Sequence, residues 1–194
     1  ENAVLAGIYD RARTPILPGQ IEYDNEDGYY NLGSWEGNPI DSFASMITGI
    51  HVKNVTICGK GVLDGRADFE NWWSRPKDKI RAWRPRMIFL NHCENITVVG
   101  VTVQNSPAWN LHPYFSNQIR FLDMEVKGPA NSHNTDGCDP ESCTNVEIAG
   151  VHFSVGDDCI AIKSGKIYMG KKFKVPSKHI HIRQSWMQDG HGAV

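Results

Sequence analysis

Asn95-Ile96-Thr97-Val98-Val99-Gly100-Val101-Thr102-Val103 is a phrase that this chain repeats. Its apolar residues alternate on either side of a glycine, the period-two pattern of two short strands meeting at a corner. Further copies begin at Asn54, Gln118, Asn145 and His179, so the starts are 41, 23, 27 and 34 residues apart. A unit of about two dozen residues with insertions falls in the range of solenoid repeats. Positions two and four of every copy are apolar, and position six is Gly59, Gly100, Asp123, Gly150 or Gln184. No long helical stripe interrupts the pattern, and no Asn-Gly hairpin joins the strands. They are therefore expected to stack in parallel, one coil on the next, as an all-β parallel solenoid. The recurrent Asn at position one suits a left-handed corner and can bond to its equivalent one coil away. That ladder is preferred over N-glycosylation as the meaning of Asn54-Val55-Thr56 and Asn95-Ile96-Thr97.

Register then places the acids. Nine residues before the starts at 95, 118 and 145 stand Arg86, Trp109 and Asp136, expected in one column. The same counting stacks Asp139 on His112 and Phe89. Asp157 follows Asp136 by 21 residues, one loop-poor coil, which is a rise of about 4.8 Å. Asp136, Asp157 and Asp158 are thus expected side by side on an exposed face, with His191 of Gly190-His191-Gly192 nearby. Carboxylates this close repel, and at least one should keep its proton to higher pH. One acid to protonate a leaving oxygen and one carboxylate to handle water is the requirement of glycosidic hydrolysis. Asn134, Trp109, His112 and Arg86, on the same face or column, are assigned to substrate binding. Lys163, on the strand after the acidic pair, would attract an anionic sugar.

Asn134-Thr135-Asp136, Gly156-Asp157-Asp158 and Gly190-His191-Gly192, in that order, resemble the signature of glycoside hydrolase family 28, the polygalacturonases and relatives. Tyr30-Asn31-Leu32-Gly33-Ser34-Trp35-Glu36-Gly37 and Gly61-Val62-Leu63-Asp64-Gly65 are similar to its bacterial exo-polygalacturonase branch. The resemblance implies a right-handed parallel β-helix and inverting hydrolysis of pectic α-1,4-galacturonosyl bonds, with polysaccharide or oligogalacturonide as substrate. It implies Asp157 as general acid, Asp136 and Asp158 as holders of the attacking water, and His191 as support for the acid. It calls for no cofactor and no metal. The family's Arg-Ile-Lys substrate motif is absent before Val194. The chain therefore reads as one catalytic domain lacking its last coils, expected to hydrolyse poorly alone.

Composition narrows the alternatives. With 20 basic and 22 acidic residues the net charge is −2, which argues against a nucleic-acid surface. No 18-residue apolar run offers a membrane span. Cys93 and Cys143 lie two coils apart with Ser116 between them, too far for a disulfide. Segment 68–86 inserts Trp72, Trp73, Trp83, Arg75, Arg81 and Arg84, either as a lid over an apolar coil edge or as a wall of a sugar cleft. Segment 166–178 is a second inserted loop. The competing readings are a rhamnogalacturonan or xylogalacturonan hydrolase, a calcium-dependent pectate lyase and a non-catalytic β-helix. A lyase would use the acids for Ca²⁺ and an Arg as base. A structural helix has no reason to gather three acids and a His.

Overall fold

A computed structural model describes residues 3–194. The five repeat copies form one parallel sheet of strands Lys53–Cys58, Glu94–Val99, Asn117–Leu122, Thr144–Ala149 and Lys178–Arg183. Their register pairs position one of each copy with position one of the next. Asn54, Asn95, Gln118, Asn145 and His179 share φ of 53–57°, so position one is a left-handed corner in every coil. Position six is left-handed too, at Gly59, Gly100, Asp123, Gly150 and Gln184. Non-glycine residues tolerate this geometry only where the surroundings enforce it. Here Asn95 Nδ2 donates to Asn54 Oδ1 at 2.7 Å, and Asn145 Nδ2 donates to Asn117 Oδ1 at 3.0 Å.

After the second corner each coil continues into a six-stranded parallel sheet that includes Thr102–Gln104, Glu125–Lys127 and His152–Ser154. A third parallel sheet holds Ile47–Ile50, Ile88–Asn91 and Leu111–Tyr114. It is extended by isolated bridges from Leu111 to Cys138 to Ile160 and from Tyr114 to Glu141 to Lys163. The chain is a right-handed parallel β-helix. Its interior is a continuous column of inward residues, among them Ile96, Val98, Val103, Ile119, Phe121, Val146, Ile148 and Phe153, all fully buried. Burying such side chains contributes roughly 1.5–3 kcal/mol each relative to exposure. All five cysteines are free, and Ser116 bridges the ladder between Cys93 and Cys143.

The two insertions fold differently from one another. Trp72 and Trp73 are buried with Phe43, Ala67 and Ala82, so that part of segment 68–86 is a lid over an apolar edge. Segment 166–178 contains a short helix, Ile167–Phe173, whose Met169 packs on Phe89 and Tyr114. No described helix is long and apolar enough to cross a membrane.

Candidate active site

The site lies where the six-stranded sheet hands the chain to the third sheet. The expected column is present: the Met87 N–H donates to Trp109 O and the Asn110 N–H to Asp136 O, at 3.2 and 2.8 Å. One coil further the offset is 22 residues rather than 21, because the bridge pairs Cys138 with Ile160. Asp136 therefore stacks on Asp158, and Asp157 on Thr135. The Cys159 and Ile160 N–H groups donate to Gly192 O and Ala193 O at 2.8 and 3.1 Å, which sets His191 one coil beyond Asp157. His191 Nδ1 stands 3.5 Å from Asp157 Oδ1.

Oxygens of Asp136, Asp157 and Asp158 lie within 4.8 Å of one another. Their surroundings differ. The Asp136 side chain is 7% exposed, and Lys163 Nζ is 3.6 Å from its Oδ2. The Asp157 side chain is 22% exposed, and the Asn134 Nδ2 donates to its Oδ2 at 3.4 Å. Asp157 thus opens to a ligand, whereas Asp136 forms the floor. Burial pushes the Asp136 carboxyl up to about 6; Lys163 opposes this and Asp157 adds to it. The charge repulsion expected from sequence is real, but desolvation is the larger cause.

Beneath Asp136 lies fully buried Asp139, which sequence reasoning placed in the stack but did not assign to the site. Its oxygen is 3.0 Å from Lys163 Nζ. Burial and then Asp136 push its carboxyl up, and the Lys163 ammonium opposes them. Although burial disfavours the Lys163 charge, Asp139 and Asp136 together keep its ammonium above the ordinary lysine value. Lys163 also stands 4.7 Å from the Trp109 ring centre, with Arg86 4.9 Å from that centre.

Two expected substrate contacts are corrected. His112 is fully buried, 3.0 Å from Glu141 Oε2, and burial lowers it to about 4, so it is a neutral ring inside the stack. Arg86 is 4% exposed and donates to Ser34 O and Ser42 Oγ; it pins the N-terminal arm to the helix. Neither can reach a sugar. Trp109 and Lys163 do face a cleft of about 390 Å³, together with Ser34, Glu36, Glu141 and Lys166. The acidic trio has spacing that a divalent cation could use, with the Lys163 ammonium standing against Asp136 on one side of it.

Residues 28–193 match the family model of glycosyl hydrolases family 28. A probable polygalacturonase of Vitis vinifera is 37% identical over 185 residues, covering 94% of this chain and 35% of its own length. An endo-polygalacturonase of Pectobacterium carotovorum subsp. carotovorum is 31% identical, covering 88% of this chain and 42% of its own. The crystal structure of an exopolygalacturonase from Thermotoga maritima superposes with TM-score 0.80 at 27% identity, covering 98% of this chain and 48% of that one. The chain spans about a third to a half of the length of these relatives.

Proposed function

The chain belongs to glycosyl hydrolase family 28, and from that premise we propose that it hydrolyses α-1,4-galacturonosyl bonds of polygalacturonate. The observation that carries this is a cluster of three carboxyls with oxygens within 4.8 Å of one another, in which Asp157 is more exposed than Asp136. Asp157, partly exposed beside Asn134 and His191, donates a proton to the glycosidic oxygen. Asp136 and Asp158, stacked one coil apart, hold the water that attacks the anomeric carbon. Lys163 and the Trp109 face receive the anionic sugar, and His191 supports the donor. Water delivered opposite the leaving oxygen inverts the anomer. Because the acids lie closer than the roughly 6.5–9.5 Å of an ordinary inverting pair, the water must be held from the side by Asp136 and Asp158 together. Retention would instead make one of them a nucleophile.

The cleft is walled on one side. The Met169 N–H donates to Gly37 O at 3.0 Å, and Lys166 pairs with Glu36, so the arm and the inserted helix close against each other. A closed side suits a chain end, and the action is read as exo. The test is the early product mixture from polygalacturonate, with its anomer followed by NMR. A short product of inverted configuration is expected. A spread of long oligomers would overturn the exo reading, and a retained anomer the assignment of Asp136 and Asp158.

A carboxyl raised to about 6 is protonated below that pH and anionic above it. Asp136 can hold and activate water only as the anion, so kcat/KM should rise with pH through this region, about tenfold per unit below the limb. Lys163→Met, by removing the opposing cation, should move that limb upward. A profile with no rise across that region would contradict the role of Asp136 as an anionic holder of water.

A further inference from the structure

Arg84 lies in the 68–86 insertion and is 2% exposed, yet it stands one side chain away from the proposed proton donor. Its Nη1 donates to Pro107 O at 2.7 Å and to His133 O at 2.8 Å, and its Nη2 donates to Asn134 Oδ1 at 2.7 Å. Asn134 in turn directs Nδ2 at Asp157 Oδ2, 3.4 Å away. A carboxamide has one accepting end and one donating end, and a guanidinium only donates. The Asn134 oxygen must therefore face Arg84, which leaves the NH₂ facing Asp157. Asn134 sits in a loop with φ of +56°, where nothing else among its hydrogen bonds chooses between the two amide orientations.

We infer that Arg84 is a positioning residue for the proton donor, acting through the Asn134 amide. The inference rests on the proposed role of Asp157. Its physical content is a fork with one prong, Nη1, tied to the backbone of two successive coils, at Pro107 and His133. The third contact is thereby aimed without freedom to rotate. As Asp157 releases its proton, negative charge grows on the carboxyl that the Asn134 N–H faces, and a donor already in place stabilises it without reorganisation. A lysine keeps the charge but cannot span three acceptors.

The test compares Arg84→Lys, Asn134→Ala, their double variant and Asp157→Asn in the complete polypeptide, on polygalacturonate and on an aryl galacturonide. A leaving group that departs without protonation makes the second substrate insensitive to the donor. Arg84→Lys should lower kcat on polygalacturonate by about tenfold to a hundredfold with KM within about twofold, and have little effect on the aryl substrate. The double variant should be no slower than Asn134→Ala, because the two residues act in series. Losses that multiply, or that fall equally on both substrates, would show that Arg84 only ties the backbone and would overturn the inference. Should Arg84→Lys not fold, Asn134→Asp keeps an acceptor for Arg84 and replaces the donor facing Asp157 by a carboxylate oxygen, which opposes release of the Asp157 proton. It should show the same dependence on leaving group, and equal losses on both substrates would again overturn the inference. If Asp157→Asn itself lacks that dependence, the donor assignment fails; if Asp157→Asn shows it and Arg84→Lys does not, only the role of Arg84 fails.

Discussion

Asp157→Asn is expected to lower kcat on polygalacturonate by about a hundredfold to ten-thousandfold, the usual worth of a positioned general acid. The amide has nearly the shape of the carboxyl and cannot give up a proton to an ether oxygen. The partly exposed position should accept it with a small shift: both carboxyl oxygens take N–H donors, from Asn134 and Asp158, so the new NH₂ must turn away from one of them toward His191 or the open side. Substrate binding should therefore change little, and the loss should sit in kcat. On an aryl galacturonide the loss should be much smaller, because phenolate leaves unaided. Asp136→Asn is the informative contrast, since it removes a holder of water and should slow both substrates alike. If Asp157→Asn slows both equally and Asp136→Asn shows the leaving-group dependence, the donor is the buried carboxyl and the two roles are exchanged.

Much of this geometry was legible because a solenoid converts sequence distance into stacking. The left-handed corners at Asn54, Asn95, Gln118, Asn145 and His179 were visible as a repeated position one. The column from Arg86 through Trp109 to Asp136 followed by subtraction alone. The miss of one residue, with Asp136 above Asp158 rather than Asp157, arose because the loop after Ser154 is not tied to the period of the sheet. What a column does not reveal is depth. His112 and Arg86 lie in register with the site, yet both are covered by neighbours that arrive from elsewhere. Glu141 and Trp109 enclose the histidine. The arm at Ser34 and Ser42 takes the arginine.

Arg84 and Asp139 show the opposite failure. Arg84 looked like one cation among several in an insertion, and only the fold shows its fork closing on Pro107, His133 and Asn134. Asp139 follows Asp136 by three residues, but a carboxyl inside a β-helix is recognisable only once Lys163 is seen beside it. The signal available in sequence was weak: a second acid in Asn134-Thr135-Asp136-Gly137-Cys138-Asp139, with a lysine one coil on. The tryptophans of the same insertion misled in the other direction, since sugar-binding and core tryptophans look alike until their burial is known.

Gly137→Ala should be among the most damaging small substitutions in the site. The backbone there is not left-handed, so the requirement for glycine is one of space alone. A Cβ would fall 2.4 Å from Cys159 O and 2.4 Å from the Phe153 ring, both fixed parts of the next coil. The Gly137 N–H donates to Asp158 O at 2.9 Å, so any retreat that makes room for the methyl also breaks the bond that docks Asp136 on Asp158. Overpacking of this kind costs about 1–3 kcal/mol even where side chains can yield, and a carbonyl yields less. In the complete polypeptide a fall in Tm of several degrees is expected. Activity should fall much further than stability below the melting temperature, because water can no longer be shared by two carboxylates set apart by one coil. Gly128→Ala is the matched control. Its Cβ would meet only Ser132 Oγ, at 3.7 Å, and it should leave both Tm and kcat near those of the parent. Near-parental activity in Gly137→Ala, measured at a temperature where the variant is folded, would show that the close docking of these two coils is not what sets the catalytic carboxylates.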